Sequence, residues 1–276
     1  RQDPLSSERV DVSEIYRVRT EGREALWVTD QDGVPHEVED VFGARSIGTP
    51  VPAGSPRLVC VAPSKIVCIG RNYAEHAREL GNEVTMEPTL FLKPPSSLLR
   101  AGDPIVRPRA HSDVVHHEGE LAVVIGRRLT NASVWEAEDA IWGLTCANDV
   151  TARDLQRADK TWARGKGFDS FCPVGPAVVP AGEAPSIADL QIRVFVDEQL
   201  RQDGSCADMV FPVASCLAYA SQIFTLEPGD LLLTGTPEGV GPLEAGNTVT
   251  VEIAGVGELT TPVVDGLATE KIPPWR

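Results

Sequence analysis

The sequence predicts an α+β protein that is dominated by β-structure. Short apolar or alternating runs, which are typical of β-strands, outnumber the helical segments along the chain. Most of these runs follow one another through short turns rather than through helices. Because a doubly wound parallel sheet requires strands and helices to alternate, this order argues against one.

The elements are predicted from the pattern of each segment in turn. Strands are expected at residues 16–20, 25–29, 65–70, 116–126, 143–150, 192–196, 230–234, 248–253 and 258–264, which are short apolar or alternating runs. Helices are expected at residues 72–80, 135–142, 151–163 and 213–224. Turn sequences are 30-DQDG-33, 227-EPGD-230 and 244-EAGN-247. Gly81 suits the C-terminal cap of the first helix.

A small domain is expected to precede a larger one. A chain of 276 residues can bury a sizeable core, which suits one large domain beside a small one. We place a strand-rich N-terminal unit at residues 1–62 and the larger domain at residues 63–276. The stretch 47-IGTPVPAGSP-56 near the boundary is rich in proline and glycine and is therefore predicted to be a linker.

The charge of the chain excludes several classes of partner. The formal net charge is −15 and the pI is about 4.8, so nucleic acid and anionic membranes are poor partners. Aromatic residues make up only 5% of the chain, which argues against a stacking platform for single strands. No apolar run approaches the roughly 18 residues of a membrane helix. An anionic substrate would need cations supplied locally by its site.

The cysteines indicate a reducing compartment. The six cysteines show no C-x-x-C spacing, and Cys60, Cys68 and Cys146 lie within apolar runs. They are therefore interpreted as small buried hydrophobic residues rather than as disulfides or zinc ligands. The N-terminus shows no charged-then-apolar signal pattern. Together these features predict a cytoplasmic protein.

Two glutamates lie in the first half of the segment 116-HHEGELAVVIG-126, just before its apolar part. Side chains alternate along a strand, so Glu118 and Glu120 should point to the same side, ~6.6 Å apart along the strand. At roughly 5 Å and an effective dielectric constant near 20, two such charges repel by about 3 kcal/mol. Exposure to water, a shared proton or a bound cation would relieve that repulsion. For these two residues alone, an exposed strand end is the commoner explanation.

A third carboxylate favours the bound cation. Asp149 lies near the end of 143-GLTCANDV-150, where a strand gives way to a predicted helix. If this strand neighbours the one that carries Glu118 and Glu120, the three side chains form a site of oxygen ligands alone. Such a site suits Mg²⁺ or Mn²⁺, with Ca²⁺ as a further candidate, better than zinc.

Other polar residues would complete such a site. Three carboxylates and one dication leave a charge of −1, which Lys166 of 164-RGKGFDSFCPVGP-176 would neutralise, although a solvated loop lysine is the better explanation from local sequence alone. His116 and His117 would orient the carboxylates as hydrogen-bond donors, but two polar residues at a strand entrance need no such role.

Six segments, taken together and in order, resemble the fumarylacetoacetate hydrolase family. They are 70-GRNYAEHARE-79, 91-FLKPPSSL-98, 117-HEGELAVVIG-126, 148-NDVTARDLQ-156, 164-RGKGFDSFCPVGP-176 and 230-DLLLTGTPEGVGPL-243. The resemblance covers about residues 63–266, and it is specific because the blocks occur in order, whereas any one alone would be weak. The smaller members, acylpyruvate hydrolases and their decarboxylase relatives, are the most similar.

The resemblance implies a fold and a set of roles. The fold is a mixed β-sandwich roll around a metal ion, usually in a homodimer, with a small N-terminal domain in many bacterial members. Glu118, Glu120 and Asp149 match the metal ligands, and Lys166 matches a lysine that stabilises charge near the metal. The residues that match substrate-contacting positions are Arg71, Tyr73, Arg153, Gln156, Gly235 and Thr236. The last two belong to a loop that holds the substrate carboxylate in the family.

His76 and Glu79 match the H-x-x-E pair of the hydrolase and decarboxylase members. On a helix this spacing places both side chains on one face. Glu79 can then accept a hydrogen bond from one imidazole nitrogen, which leaves the other nitrogen to take a proton from water. In relatives this segment is a lid over the ligand, and 81-GNEVTMEP-88 would suit that role.

These features predict a metal-dependent hydrolase that cleaves a C–C bond of a small anionic 2,4-dioxo acid, of acylpyruvate or fumarylpyruvate type, through a pyruvate enolate. Decarboxylation of oxaloacetate, and isomerisation or decarboxylation of 2-hydroxyhepta-2,4-diene-1,7-dioate, use the same enolate and stay open as alternatives. A non-enzymatic β-scaffold stabilised by a metal is a further alternative. It would not explain Lys166, the His76–Glu79 pair and the 234-TGTP-237 loop together.

Overall fold

The structure, a computed structural model, describes residues 14–31 and 33–267 and has the predicted α+β architecture dominated by strands. Strands of the first half are β1 (Ile15–Thr20), β2 (Arg23–Gln31), β3 (Val34–Glu39), β4 (Ser46–Pro50), β5 (Ile66–Gly70), β6 (Thr89–Lys93), β7 (Leu98–Arg100), β8 (Ile105–Arg107), β9 (Val115–His116) and β10 (Gly119–Ile125). Strands of the second half are β11 (Ile141–Asn148), β12 (Thr151–Ala152), β13 (Cys172–Pro180), β14 (Gln191–Val196), β15 (Gln199–Ser205), β16 (Leu231–Leu233), β17 (Thr248–Ile253) and β18 (Gly257–Asp265). Helices are α1 (Ala74–Glu79), α2 (Val134–Glu138), α3 (Arg153–Ala158), α4 (Ala163–Lys166) and α5 (Val213–Ser221).

Most strands belong to two sheets that pack against each other. The larger sheet has the order β4-β3-β2-β1-β13-β11-β10-β16-β5-β6, and β7 pairs with β13 beside this path. The smaller sheet has the order β15-β14-β17-β18-β8. Neighbouring strands are antiparallel except for the pairs β5–β16, β7–β13 and β8–β18, which are parallel. Strands β9 and β12 form a separate short ladder.

Strand β10 is buried on both faces, as its sequence predicts. Leu121 and Val123 pack in the main core together with Val194 of the smaller sheet. Ala122 and Val124, which alternate with them, belong to a second apolar cluster. Because both faces are covered, the sequence of the strand is a continuous apolar run. The polar residues that precede this run lie at the end of the sheet where β10 begins.

The N-terminal strands extend the larger sheet. Strands β1 to β4 pair successively in antiparallel order, and β1 joins β13 through Ile15 and Val178. The predicted turn after β2 contains Asp32, which lies outside the described residues. The predicted linker 47–56 is wrong in its first part, because Ile47 pairs with Val38 and 47–50 belong to β4. The division between residues 62 and 63 stays a prediction.

Two predicted helices are shorter than expected because strand pairing captures their ends. The helix predicted at 135–142 ends at Glu138, since Ile141 pairs with Ile125 and begins β11. The helix predicted at 151–163 begins only at Arg153, because Thr151 and Ala152 pair with β9.

The second of these helices is also interrupted within its predicted range. Helix α3 ends at Ala158, and Trp162 has a left-handed backbone with φ 60° before α4 starts. This break turns the chain back, so that α3 and α4 lie against each other; a Cβ on Gly165 would lie 2.9 Å from the Gln156 backbone nitrogen. The glycine beside Lys166 is therefore required by close packing rather than by loop mobility.

Strand β13 was not predicted, although it is central to the larger sheet. Its sequence 172-CPVGPAVVP-180 contains three prolines, which lack the backbone N–H that a central strand normally uses. The strand nevertheless pairs with β11, β1 and β7. Strands β3, β6, β7, β8 and β15 were also missed, because each is short, polar or followed by proline.

The structure bears on two expectations from composition. All six cysteines are free and buried, as predicted. Within residues 14–31 and 33–267, none of the helices combines the length and apolar character needed to span a bilayer.

The close contact between the two sheets at Gly119 leads to a prediction for stability. A Cβ added to Gly119 would overlap Cγ2 of Val194, whereas a Cβ added to Gly182 would have no atom within 4 Å. We expect Gly119→Ala to lower the free energy of unfolding by about 1–3 kcal/mol through overpacking. Gly182→Ala, the matched control, should change it by less than about 1 kcal/mol. Urea unfolding of both variants measures this; equal losses would contradict the close approach of the sheets.

Candidate active site

Three buried carboxylates meet at the neighbouring ends of β10 and β11. These strands are antiparallel, and Gly119 pairs with Asn148, which places Glu118 and Glu120 beside Asp149. The Asp149 N–H donates to the Glu118 carbonyl oxygen at 2.8 Å. One oxygen from each carboxylate lies within 4.8 Å of the others. The sequence predicted this convergence, on the condition that the two strands are neighbours.

Two cations lie against this acidic cluster. Lys166 Nζ lies 2.7 Å from Oε2 of Glu118 and 2.5 Å from Oδ2 of Asp149. Arg153 Nη1 lies 2.5 Å from Oε1 of Glu118. Both cationic side chains are buried, and they come from α4 and the start of α3. Lys166 is thus a site residue and not a solvated loop lysine.

A third buried cation, Lys93, was missed by the sequence analysis. It ends β6, and its Nζ lies 2.7 Å from Oδ1 of Asp149 and 3.3 Å from the carbonyl oxygen of Val150. Its side chain is fully buried. A lysine at the end of the otherwise apolar run 89-TLFLK-93 was the available signal, because a buried lysine requires a counter-ion.

The environments of the two glutamates move their pKa values in opposite directions. Burial opposes ionisation of Glu118, but the positive charges of Arg153 and Lys166 outweigh it and hold its pKa below the usual range. Burial, with the negative charges of Asp149 and Glu118, raises the pKa of Glu120 well above its usual value.

The donor set fits a divalent cation. Glu120 accepts a hydrogen bond from the Gly235 N–H at 2.7 Å, and within the described part of the chain it has no ion-pair partner. A buried carboxyl without a counter-ion, beside two further carboxylates, is where a hard dication would relieve the most desolvation. Glu118, Glu120 and Asp149 are therefore the residues that could hold one.

The two histidines before the acidic pair do not contact the carboxylates directly. Burial lowers the pKa of His116 and of His117 to about 4. His117 Nδ1 lies 3.0 Å from Oε1 of Gln202, a residue that the sequence analysis did not single out.

The H-x-x-E pair has the geometry that the helix predicts. His76 and Glu79 lie on α1, and Nδ1 of the imidazole is 3.2 Å from Oε2 of the carboxylate. The other oxygen of Glu79 accepts from the Gly239 N–H at 3.1 Å. Both carboxylate oxygens are engaged, so the imidazole is held in a defined orientation.

These groups surround a cavity of about 310 Å³. Its polar wall includes Arg71, His76, Glu118, Glu120, Asp149, Arg153, Gln156, Lys166 and Thr236. Its apolar wall includes Ile69, Leu80, Phe91 and Trp162. Two residues that are predicted to contact substrate are not among the described residues that line the cavity. Tyr73 is buried in the main core, and the N–H of Gly235 donates a hydrogen bond to Glu120.

Arg153 has donors that the protein leaves unused. Its Nη1 also donates to Oε1 of Gln156 at 2.9 Å. Its Nε and Nη2 are buried and have no hydrogen-bond partner among the described residues. Because a buried, unpaired guanidinium N–H is costly, these two donors indicate where an anionic group would bind.

Comparison with known proteins finds related sequences over most of the chain. A model of the fumarylacetoacetate (FAA) hydrolase C-terminal family matches residues 65–264. The mitochondrial oxaloacetate decarboxylase of Dictyostelium discoideum is 44% identical to this chain, over 70% of this chain and 89% of its own length.

Solved structures with the same fold include enzymes of different reaction types. The 2-hydroxyhepta-2,4-diene-1,7-dioate isomerase of Mycobacterium marinum has a TM-score of 0.80 and 37% identity, covering 92% of this chain and 98% of its own. The fumarylpyruvate hydrolase of Pseudomonas aeruginosa, solved with Mn²⁺ and pyruvate, has a TM-score of 0.70 and 35% identity, covering 78% of this chain and 94% of its own.

The buried pair of Lys93 and Asp149 predicts a large stability effect in the absence of metal. Lys93→Met leaves Oδ1 of Asp149 buried without its cation, which should lower the free energy of unfolding by about 1–3 kcal/mol. The control is Arg128→Met, since Arg128 lies 3.2 Å from Glu227 in an exposed ion pair. Such a pair contributes less than about 1 kcal/mol. Urea unfolding with a chelator present compares the two variants. Similar losses of unfolding free energy in both would show that Lys93 does not compensate the buried charge of Asp149.

Proposed function

The chain belongs to the fumarylacetoacetate hydrolase family, and on that premise we propose that it is a divalent-metal-dependent enzyme that cleaves a C–C bond of a small 2,4-dioxo acid of acylpyruvate type. The observation that carries the proposal is a single cavity that joins three kinds of group. These are the buried carboxylates, the unpaired N–H groups of Arg153, and the His76–Glu79 pair.

The charges around the cavity suit the binding of a metal ion and then of an anionic substrate. Glu118, Glu120 and Asp149 carry three negative charges when ionised, and Lys93, Arg153 and Lys166 carry three positive charges. A dication such as Mg²⁺ or Mn²⁺ held by the three carboxylates would add two positive charges and supply Lewis-acid stabilisation of an enolate. The site would then attract an anion in spite of the net charge of −15.

Arg153 is the residue that we assign to the substrate carboxylate. Its Nε and Nη2 groups are buried donors that have no partner in the described part of the chain, and a guanidinium presents two parallel N–H bonds to a carboxylate. Gln156 fixes the arginine from the other side through its contact with Nη1. Thr236 and Arg71 line the same cavity and bound the space left to the substrate.

His76 is the residue that we assign as general base. With Nδ1 held by Glu79, the other ring nitrogen takes a proton from a water molecule, and the resulting hydroxide adds to the C4 carbonyl. The C3–C4 bond breaks, its electron pair stays on C3, and the pyruvate part leaves as an enolate. Lys166 places a positive charge beside the developing negative charge. The proton on His76 then returns to C3.

Decarboxylation of oxaloacetate is a second candidate, favoured by the 44% identity to an oxaloacetate decarboxylase. It produces the same enolate by loss of CO₂ and needs no attacking water. Isomerisation of a hydroxy-diene-dioate, the reaction type of the M. marinum structure, also passes through an enolate, which forms by loss of the hydroxyl proton and is protonated again at carbon without cleavage of a C–C bond. The three candidate reactions therefore use the same anion and cation sites. They differ in whether His76 must take a proton from a water molecule.

A panel of substrates with and without metal separates these reactions from a non-enzymatic scaffold. Acetylpyruvate, oxaloacetate and 2-hydroxyhepta-2,4-diene-1,7-dioate are each incubated with the protein after chelation, then with added Mg²⁺ or Mn²⁺. We expect turnover of at least one compound, loss on chelation and recovery with metal. A melting temperature that falls on chelation, with no turnover of any compound, would support the scaffold instead.

Substitution of His76 tests the assignment of the base. His76→Ala should lower kcat for acetylpyruvate by about 10²–10⁴-fold, because water is no longer deprotonated, while oxaloacetate decarboxylation falls less. Mg²⁺ affinity, measured by calorimetry, should be unchanged. Arg78→Gln, on the exposed side of the same helix, is the control. Unchanged turnover of acetylpyruvate in His76→Ala would remove this residue from the mechanism.

A further inference from the structure

Gln202 reaches from the smaller sheet to the acidic cluster of the larger sheet. It lies on β15, where its neighbours Arg201 and Asp203 are exposed but Gln202 itself is 1% exposed. It is not among the residues that line the cavity in the described chain. A buried neutral amide at this position must have its polar atoms satisfied within the protein.

The amide of Gln202 makes four contacts with the site. Its Oε1 accepts from the Gly119 N–H at 3.0 Å and lies 3.0 Å from Nδ1 of His117. Its Nε2 donates to Oγ1 of Thr236 at 2.7 Å and to the carbonyl oxygen of Pro237 at 2.7 Å. One side chain therefore joins β10 to the loop that follows β16.

The chemistry of these partners fixes the orientation of every group. The Gly119 N–H can only donate and the Pro237 carbonyl can only accept, so the amide oxygen and nitrogen are assigned without ambiguity. His117 must then present Nδ1–H to Oε1. The Thr236 oxygen accepts from Nε2, and its own proton goes to the Gly119 carbonyl oxygen at 2.8 Å.

These hydrogen bonds form a closed ring through Gly119, Gln202 and Thr236, beside the acidic pair. Gly119, which separates Glu118 from Glu120, has its N–H held by Gln202 and its carbonyl held by Thr236. Glu120 accepts from Gly235 in the same loop. Both glutamates are thus attached to a backbone whose two polar groups are held by this ring.

Close packing holds β15 against the loop that follows β16. A Cβ on Gly204, two residues after Gln202, would overlap Cβ of Pro237. A Cβ on Gly239 would overlap the carbonyl oxygen of Arg201. Strand β15 therefore lies directly against the loop that follows β16.

We propose that Gln202 is a positioning residue that fixes Glu118 and Glu120 as a pair of metal ligands and fixes the direction of the Thr236 hydroxyl. The proposal rests on the proposed function, since it requires that the carboxylates bind a divalent cation. Gln202 acts through Gly119 and Thr236 and does not itself contact the ion or the substrate.

The experiment compares metal affinity in the full chain and in a Gln202→Met variant. Methionine has a similar length and shape but makes none of the four hydrogen bonds. Removal of partners that orient metal ligands typically weakens metal binding by about 10–100-fold. We therefore expect the dissociation constant for Mn²⁺, measured by isothermal titration calorimetry without substrate, to rise by that factor. KM for acetylpyruvate should also rise, because Thr236 is no longer held.

A control separates positioning from general destabilisation. Ser221 is another buried side chain that joins two segments, accepting from the Ala132 N–H at 2.9 Å and donating to the Ala218 carbonyl oxygen at 2.8 Å. Ser221→Ala should lower the melting temperature of the metal-free protein but leave the Mn²⁺ dissociation constant unchanged. An unchanged dissociation constant in Gln202→Met, with a melting temperature lowered as in Ser221→Ala, would overturn the proposal.

A second variant tests whether the contacts act as one unit. Thr236→Val keeps the shape of the side chain but removes its hydroxyl, and it remains informative if Gln202→Met does not fold. We expect it to weaken Mn²⁺ binding, and the double variant to bind no more weakly than the weaker single variant, because both disrupt the same ring. Unaltered binding in Thr236→Val, or effects that multiply in the double variant, would contradict the ring.

The outcomes also separate this proposal from the proposed function. Wild-type protein that binds neither Mn²⁺ nor Mg²⁺ would overturn both. Wild-type protein that binds metal and turns over a dioxo acid, together with Gln202→Met that binds metal equally well, would leave the proposed function intact and overturn the role of Gln202 alone.

Discussion

Three carboxylates are buried at one point, and the surrounding elements of the fold must compensate their charge. Each carboxylate loses its hydration on folding, and the loss is tolerable only if cations and hydrogen-bond donors replace the water. Lys93, Arg153 and Lys166 supply the cations from β6, α3 and α4. Glu120 receives a backbone N–H but no cation among the described residues, and its raised pKa reflects burial and two negative neighbours. A dication held by the three carboxylates would supply the positive charge that Glu120 lacks.

The fold supplies this arrangement through its two sheets. The antiparallel pairing of β10 with β11 places the ligands side by side, and the smaller sheet approaches so closely at Gly119 that no side chain fits there. Gln202 crosses the same gap and holds the backbone between the two glutamates. A chain with a net charge of −15 thereby builds a cavity in which three buried carboxylates face three buried cations, and a bound dication would make this cavity locally cationic and suited to an anion.

The parts of the site that follow from local pattern could be predicted, and those that depend on packing could not. Alternation along a strand placed Glu118 and Glu120 on one side, and helix periodicity placed His76 beside Glu79. Lys93 was missed because a lysine after an apolar run indicates a buried cation but does not identify its partner, Asp149. Strand β13 was missed because its prolines are atypical of a central strand, and the helix predicted at 151–163 was wrong at its start because Thr151 and Ala152 pair with β9. Tertiary contacts override local propensity in each case.

A crystal structure of the protein with Mn²⁺ and oxalate tests the metal site most directly, because oxalate mimics the two chelating oxygens of a pyruvate enolate. We expect one ion held by oxygens of Glu118, Glu120 and Asp149, with an oxalate carboxylate against Nε and Nη2 of Arg153. Carboxylates that stay paired only with their lysines and arginine at saturating Mn²⁺, with no electron density for an ion among them, would contradict this expectation.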